Sequence, residues 1–439
     1  MYNNSNMLRE VNRYMNRELL TDRIAFNLIE TDKFKSNYLS VSFVVPYEKR
    51  AAAMNALILK VLKRGTRSYP NMVSLSKKLE YLYSADIYTR TMSFGETQLL
   101  CFSIDALNDR FALDNTKILK ESIDVLREII FSPVIENDSF KADYFESEKR
   151  NLLDDIAAEI NNKAKYAVKR MCEHMFSDEK FRLSTLGDVE DVLEFTNEET
   201  FAHYTALLNS ADVEVTFVGD TDIELLKKLV INMLSSFSPR CNNAIYTNVV
   251  RTPTKVKEIR ETCIGKQGNL VLGFRTGTVL ADGEYPKMAL LSELYGGSAT
   301  SLLFMNVREK QSLCYYCSSV PEAIKGVMLV RAGIENCNFE KAKNAILEQL
   351  DALKQGRFSE DELKSAKLSL INAYYEISDN PQALQNWYLG RTLSGISQSP
   401  EEAIEVVSKI TKEEIIYTAN KILLDTVYFL EGKQNGGEF

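Results

Sequence analysis

The chain has 439 residues, of which 45% are hydrophobic, and a formal net charge of −8. This length exceeds what one hydrophobic core usually supports, so we expect two domains of about 200 residues each. The acidic balance argues against a nucleic acid partner, whose phosphates need basic patches, and no apolar run in the sequence is long enough to span a bilayer.

Two features of the sequence favour a cytoplasmic location. Residues 1–25 contain scattered charged side chains and no apolar core of a signal peptide. The seven cysteines are an odd number spread along the chain, which does not fit a disulfide framework and agrees with a reducing compartment. If the partner is a peptide, the acidic net charge favours basic peptides, although net charge does not define the direction of the local field.

The first half alternates between predicted strands and helices. Leu39, Val41, Phe43 and Val45 alternate with smaller or polar residues, which predicts a strand with one buried face. The predicted elements are, in chain order, strands at 24–30 and 38–46, helices at 51–63 and 73–83, strands at 86–92 and 97–104, helices at 109–131 and 139–164, and less regular helix to 190.

The end of the first half recurs at the end of the chain. Thr196 stands three residues before Glu199, and Thr411 stands three residues before Glu414. Each pair predicts a capping box, in which the Thr side chain accepts the N3 amide and the Glu side chain reaches back. A helix and then an alternating strand follow each box. Recurrence at half the chain length indicates a duplicated domain rather than short solenoid repeats.

The second half follows the same plan as the first. Its predicted elements are strand 268–275, helix 285–295, Gly296-Gly297, helix 300–311, strands at 314–320 and 326–333, and helices at 338–354 and 359–377. We therefore predict an α+β protein of two homologous helix-on-sheet domains, at 1–234 and 256–439, joined by a linker at 235–255. Two such domains would most simply face each other across a ligand-binding cleft.

Several residues stand in a pattern known from one family. Gly65-Thr66 ends the first helix, Glu148 lies on a long later helix, and Gly296-Gly297 precedes the run VREKQSLCYY at 307–316. This layout resembles the pitrilysin or insulinase (M16-type) zinc peptidases, which include the mitochondrial processing peptidase. The resemblance covers nearly the whole chain. It implies two homologous domains per chain and a pair of chains that encloses a peptide-binding chamber.

Active members of that family have His-x-x-Glu-His on the first helix, where two His ligate zinc and the Glu is the general base. Aligned on Gly65-Thr66, the three positions in this chain are Ala56, Leu59 and Lys60. Methyl and isobutyl groups have no ligand atoms, and an ammonium has only donors and repels a dication. Glu148 matches the distal glutamate ligand, and alone it is expected to be a solvated helix carboxylate. We expect zinc only in a partner subunit.

The two histidines of the chain are not expected to replace the missing zinc ligands. His174 and His203 both lie outside the first helix, and each is expected to be a structural or surface residue rather than a ligand. Both ligands, the general base and any substitute histidine pair are therefore missing. This disfavours an active zinc peptidase that works alone.

The second half keeps another part of the family's pattern. Arg308 and Tyr315 match the Arg and Tyr that active members bring across the cleft onto the substrate. A guanidinium can clamp a peptide carbonyl, and a phenol can donate to the oxyanion as the amide becomes tetrahedral. The alternative interpretation is an Arg on a helix face and a Tyr on a sheet surface, and the sequence leaves both open.

Three further motifs have simpler interpretations. Cys314 and Cys317 have the spacing of zinc or redox sites, but the run predicts a strand with a buried cysteine pair. Gly296-Gly297 lacks the ending of a phosphate loop and is expected to be a tight turn between helices. A basic cluster on the first two helices, which includes Lys63 and Lys78, is expected to be a solvated face or a contact for an acidic partner.

Two hypotheses from different classes follow. In the first, the chain is the non-zinc subunit of a two-chain peptidase and supplies chamber wall, an edge strand for peptide addition, and Arg308 with Tyr315. Its partner is a homologous subunit with the motif, or a second copy of the chain. In the second, the chain is a scaffold or peptide-binding module without hydrolysis, as are the core subunits of the respiratory bc1 complex in this family. Within the family, the chain resembles a degenerate subgroup often labelled YmfF-like.

Overall fold

The computed structural model describes residues 15–21, 23–235, 237 and 247–433. The strands are β1 (Asn16–Thr21), β2 (Ile24–Glu30), β3 (Ser36–Pro46), β4 (Asp86–Phe94), β5 (Thr97–Leu107), β6 (Ile135–Glu136), β7 (Ser139–Phe140), β8 (Asp212–Gly219), β9 (Lys257–Ile264), β10 (Gly268–Arg275), β11 (Cys314–Glu322), β12 (Val327–Ile334) and β13 (Leu423–Lys433). The predicted linker at 235–255 lies partly outside the described residues.

Helices cover about as much of the chain as loops and strands together. They are α1 (Lys49–Leu62), α2 (Met72–Tyr81), α3 (Ile118–Phe131), α4 (Ala142–Ala158), α5 (Lys163–Met175), α6 (Val189–Glu194), α7 (Asn197–Ser210), α8 (Ile223–Met233), α9 (Tyr285–Ser292), α10 (Phe339–Lys354), α11 (Glu360–Ser378), α12 (Pro381–Leu393), α13 (Pro400–Lys409) and α14 (Lys412–Asn420). Two π-helical segments follow α9, at Glu293–Gly297 and Leu303–Lys310.

The two large sheets have the same topology. The first has six strands in the order β1-β2-β8-β3-β5-β4, and the second has five in the order β11-β12-β10-β13-β9. One neighbouring pair in each sheet is parallel, β2 with β8 and β9 with β13, and the other neighbours are antiparallel. Counted from the parallel pair, β2-β8-β3-β5-β4 matches β9-β13-β10-β12-β11 strand for strand. The predicted α+β fold of two similar helix-on-sheet domains is confirmed.

The compact units of the structure are not continuous in sequence. The first unit holds the described residues of Met1–Ile156, Leu183–Tyr246 and Ile377–Leu393. The second holds those of Ala157–Arg182, Thr247–Glu376 and Ser394–Phe439. The prediction of unbroken domains at 1–234 and 256–439 therefore differs from the structure at two segments, the one containing α5 and the one containing α12.

Packing explains why α5 belongs with the second sheet. Met171 and Met175 are fully buried against that sheet, together with Val271 of β10 and Tyr428 of β13. Gly273 permits this close approach, because a Cβ at that position would lie 2.6 Å from the sulfur of Met175.

In the first unit, α12 covers one face of the sheet. Leu384 and Tyr388 pack with Tyr38 and Val218, which lie on β3 and β8. The other face of β3 carries the predicted alternating residues, among them Phe43, which packs into the main core under α1 and α3. Both faces of the central strands are therefore buried, although the sequence pattern predicted one.

The structure corrects three predicted elements. The helix at 109–131 is a single 3-10 turn at Asp109–Phe111 followed by α3, and the helix at 139–164 is broken between α4 and α5 by a 3-10 turn at Glu159–Asn161. The break is the point where the chain passes from the first unit to the second. The predicted tight turn at Gly296-Gly297 is the end of a π-helical segment, and Gly296 there lets the segment approach the backbone of Ser319 on β11.

Candidate functional site: a cleft beside the first helix

The positions of the missing zinc motif lie on α1. The run from Ala51 to Leu62 is rich in Ala, Leu and Met, which have high helix propensity. Ala56 and Leu59 are 4% and 3% exposed and join the main core of the first unit. Gly187, with a φ of 81°, packs against the same helix, since a Cβ there would lie 2.2 Å from the Cβ of Ala53.

A cleft of about 600 Å³ opens beside this part of α1, within the first unit. Its walls come from α1, from α4, from β4 and from the loop that precedes α6. Its lining includes Ala56, Leu59 and Lys60 on α1, Glu148 and Asp155 on α4, and Thr91 on β4. The structure therefore brings all four degenerate motif positions to one cleft, as the resemblance implied.

Lys60 occupies the cleft as one partner of an ion pair. Its Nζ lies 2.5 Å from Oδ2 of Asp155, and the two side chains are 27% and 51% exposed. An ion pair this exposed contributes about 0–1 kcal/mol to stability. The pair therefore does little for the fold, and it places a positive charge at the cleft wall.

Glu148 is not the solvated carboxylate that the sequence suggested. It is buried, with 7% of its surface exposed. Its Oε1 accepts from Nη1 of Arg64 at 3.1 Å, and its Oε2 accepts from Nδ2 of Asn151 at 3.0 Å. The guanidinium of Arg64 also lies over the ring of Tyr144, 5.1 Å from its centre. Burial is possible here because a cation and an amide satisfy both oxygens.

These residues do not fit a zinc ion. Ala56 and Leu59 offer no ligand atoms, Lys60 offers a cation, and both oxygens of Glu148 are already in use. Across the residues that the structure describes, no group of three His, Cys, Asp or Glu side chains could hold a metal ion. We therefore assign no metal-dependent step to the residues of this chain.

The two histidines both contact polar side chains. Nε2 of His174 lies 3.0 Å from Oε1 of Glu261, which also accepts from Arg170. Nε2 of His203 lies 2.9 Å from Oδ1 of Asn55, and burial lowers the pKa of His203. Both side chains therefore have polar partners in the structure, and their interpretation as structural or surface residues stays a prediction.

The basic cluster on α1 and α2 is only partly a solvated face. The Lys78 side chain is 17% exposed and pairs with Glu121 on α3, while Lys60 and Arg64 pair with carboxylates of α4. Within the described part of the chain, Lys63 has no carboxylate partner. The cluster therefore combines fixed ion pairs with cations that have no carboxylate partner among the described residues, of which Lys63 lies at the cleft.

Arg308 and Tyr315 lie in the second unit, and both are accessible. The Arg308 side chain is 40% exposed and lies over the ring of Phe304, with its Nε 3.6 Å from Oε1 of Glu309. Tyr315 is 58% exposed, and its hydroxyl lies 3.4 Å from Oε1 of Glu335. Arg308 belongs to a π-helical segment, and Tyr315 lies on the edge strand β11.

A β-bulge explains the direction of Tyr315. The register between β11 and β12 shifts between Cys314 and Tyr316, so Tyr315 has no partner on β12. A bulge adds a residue to one strand and redirects its side chain. It also lets Cys314 and Cys317 both be buried, as predicted, although strict alternation would place residues three apart on opposite faces.

Comparison with known proteins identifies the family. A family model described as the peptidase M16 inactive domain matches residues 194–370. The "Probable inactive metalloprotease YmfF" of Bacillus subtilis (strain 168) is 31% identical over 408 residues, which are 93% of this chain and 96% of that protein. This chain belongs to the peptidase M16 family. The predicted resemblance, including the degenerate subgroup, is confirmed.

Solved structures agree with the M16 assignment. A conserved protein from Enterococcus faecalis V583 has a TM-score of 0.89 at 28% identity, over 96% of this chain and 100% of that chain. The peptidase M16 inactive domain from Pseudomonas fluorescens has a TM-score of 0.78 at 16% identity, over 95% and 98% of the two chains. The second likeness shows the fold alone. Among the described residues, no helix of this M16 protein is long and apolar enough to cross a membrane.

The sequence did not reveal every residue of the cleft. Thr91 was not singled out, because it lies on a polar strand without a distinctive pattern, and only the pairing of β4 with β5 brings it beside α1. Asp155 was also missed as the partner of Lys60, since 95 residues separate them. A helical-wheel comparison of Glu148 and Asp155, seven residues apart on one face of α4, was the available signal.

Proposed function

We propose that this M16 chain is the non-zinc subunit of a two-chain peptidase. It binds a peptide and supplies Arg308 and Tyr315 to a zinc site in a homologous chain that has the intact motif. The observation that supports this best is the contrast between the two units. The motif positions are filled by core residues and ion pairs, whereas Arg308 and Tyr315 are exposed and little used by the fold.

Tyr315 has the properties of a group that contacts a substrate. An aromatic side chain that is 58% exposed and set apart by a bulge contributes little to the core. Its only described polar contact is the long one to Glu335, at 3.4 Å. The phenol therefore remains able to donate a hydrogen bond to an oxyanion in a neighbouring site.

The side chain of Arg308 is likewise little constrained by contacts within the fold. Its closest carboxylate belongs to the next residue, Glu309, and exposed pairs of this kind contribute about 0–1 kcal/mol. The ring of Phe304 supports the guanidinium from one side. Its planar fork of donors can clamp a peptide carbonyl or carboxylate.

Edge strands offer places for an extended peptide. β4 is one edge of the first sheet and β11 is one edge of the second, so each has a row of backbone groups without a neighbouring strand in the described structure. Such an edge can accept a peptide as an added strand, with main-chain hydrogen bonds providing affinity.

Reconstitution with a motif-bearing homologue from the same genome tests the proposal. Peptide hydrolysis by the pair should fall by about two orders of magnitude or more in Arg308→Ala and in Tyr315→Phe, the scale of one lost transition-state donor. Lys310→Ala is the matched control, because Lys310 is exposed on the same segment and its Nζ donates to Oδ1 of Asn306 at 2.8 Å, with no ion pair among the described residues. Full activity in Arg308→Ala would contradict the subunit role.

The cleft beside α1 also supports a second candidate function, a peptide-binding module or scaffold without hydrolysis. Its residues do not fit zinc, so zinc-dependent hydrolysis at this cleft would need ligands from another chain. Peptide binding that persists with no turnover in the presence of the homologue would favour this candidate. Native mass spectrometry of the chain with and without the homologue distinguishes a heterodimer from a homodimer.

We also place the protein in the cytoplasm, as part of the same proposal. The described cysteines are all free, namely Cys101, Cys172, Cys263, Cys314, Cys317 and Cys337. Free thiols agree with a reducing compartment. Fractionation of the native host tests this, and recovery outside the cytoplasm would contradict it.

A further inference from the structure

We propose that the cleft beside α1 binds a carboxylate of an extended peptide, so that the place of the missing metal site selects acidic peptides. This inference depends on the proposed peptide binding and adds the class of substrate. It reverses the expectation from the net charge of −8, which favoured basic peptides.

The cleft is positive within an acidic protein. The side chains of three cations and two carboxylates line it, which leaves a net charge of +1; they are Lys60, Lys63, Arg64, Glu148 and Asp155. A cleft lined by one sign of charge, with walls of low dielectric constant, concentrates the field and attracts groups of the opposite sign. The local charge therefore favours an anion, whatever the sign of the whole chain.

The one excess charge can be assigned to a particular residue. Lys60 and Arg64 are neutralised by Asp155 and Glu148. Lys63 has no carboxylate partner in the described part of the chain. Arg90 of β4 donates from Nη2 to Oδ1 of Asn386 on α12 at 2.6 Å, on the face of the sheet away from α1, and so does not face the cleft. Lys63 is therefore the cation available to a ligand.

Apolar residues form part of the cleft wall, and they strengthen the interaction between the charged side chains and an ionic ligand. Ala56 and Leu59 have replaced groups that would be polar in an active relative, and Met72 and Leu186 complete the apolar lining. A carboxylate here would meet cations in a partly dehydrated setting, where charge interactions are stronger than in water.

The neighbouring edge strand supplies the rest of the peptide site. Thr89, Arg90 and Thr91 of β4 line the cleft, and β4 pairs with β5 on only one side. A peptide added to the free side of β4 would pass beside the cleft. Because side chains alternate along a strand, an Asp or Glu in the peptide can face the cleft while its main chain bonds to β4.

Binding of matched peptides to the full chain tests this. The probe is a fluorescein-labelled peptide of about eight alternating Thr and Val residues with a central Glu, compared with its Gln and Lys counterparts by fluorescence anisotropy. We expect the Glu peptide to bind about threefold to tenfold more tightly than the Gln peptide, and the Lys peptide to bind most weakly. The preference should shrink at about 1 M salt, where the Debye length is about 3 Å.

Two lysine variants test which residue is responsible for the preference for the Glu peptide. Lys63→Gln should reduce the preference for the Glu peptide, while Lys77→Gln, which removes an exposed lysine of α2 outside the cleft, should leave it unchanged. Both variants change the net charge equally. Equal affinity for the Glu, Gln and Lys peptides would overturn this inference and leave the proposed function intact, as would equal effects of the two variants. Failure of all three peptides to bind would contradict peptide binding itself, and with it this inference.

Discussion

Glu179 belongs to a buried ionic network that links the segment containing α5 to the second sheet. Replacing Glu179 with Gln should destabilise this part of the second unit severely. Glu179 lies just after α5, and its Oε1 is 3.2 Å from Nη2 of Arg275 while its Oε2 is 2.5 Å from Nζ of Lys325. Asp425 is the second carboxylate of the network, with its Oδ2 2.8 Å from Nε of Arg275. The two cations and two carboxylates balance.

The expected loss follows from burial. The side chains of Glu179, Arg275 and Lys325 are 6%, 3% and 0% exposed. Glutamine keeps the shape of glutamate without its charge, so Arg275 would keep Asp425 as its ion-pair partner while Lys325 would lose its ion pair with Glu179. Removing one partner of a buried ion pair costs about 3–5 kcal/mol, a large part of the roughly 5–15 kcal/mol that holds a typical protein folded.

Glu340→Gln is the matched control. Glu340 lies in the same unit and also pairs with two cations, Arg260 at 3.2 Å and Lys343 at 2.8 Å, but it is 60% exposed. An exposed pair contributes about 0–1 kcal/mol, so the control should change little. The two glutamates therefore differ mainly in burial.

Hydrogen exchange read by mass spectrometry measures the difference. In Glu179→Gln, amides of α5 and β10 should exchange about two to four orders of magnitude faster, which is what about 3–5 kcal/mol gives at about 1.4 kcal/mol per factor of ten. The Glu340→Gln variant should show almost no change. Equal acceleration in the two variants would refute the reasoning from burial.

Two further predictions concern titratable groups. Burial lowers the pKa of His203, so below about pH 6.5 the unfolded chain takes up a proton that the folded chain resists. Stability should fall as the pH drops from about 7.5 to about 5.5, and urea unfolding should show a smaller fall in His203→Gln. The hydrogen bond from Cys317 and the charge of Arg308 lower the pKa of Cys314, whereas the pKa of Cys317 is raised. Mass spectrometry after iodoacetamide treatment should find Cys314 alkylated before Cys317, and more slowly in Arg308→Ala; the reverse order would contradict the assignment.

Local patterns predicted the repeated parts of the fold well, because their signals lie within a few residues. The capping box at Thr411 is present in full, with Glu414 accepting from the Thr411 amide at 2.9 Å. At Thr196 only half of the box forms, and the side chain of Glu199 binds Arg50 instead, at 3.0 Å. A competing cation on α1, distant in sequence, decides that difference.

Local patterns could not predict that α5, from the first half of the chain, belongs to the second unit, or that α12, from the second half, belongs to the first. Neither helix has a local sequence signal that names its sheet, and their place depends on which sheet offers a matching surface, such as the one that Gly273 opens for Met175. The burial of Glu148 was missed for the same reason, since its partner Arg64 is 84 residues away. The vacant ligand positions were predictable, because the absence of donor atoms is a property of the residues themselves.

The zinc content of the purified chain tests the central claim most directly. The claim is that Ala56, Leu59 and Lys60 leave no metal site beside α1, so that any zinc belongs to a partner. Elemental analysis of the chain, purified alone and dialysed against zinc, should find far less than one zinc per chain. One tightly held zinc per chain would contradict the account.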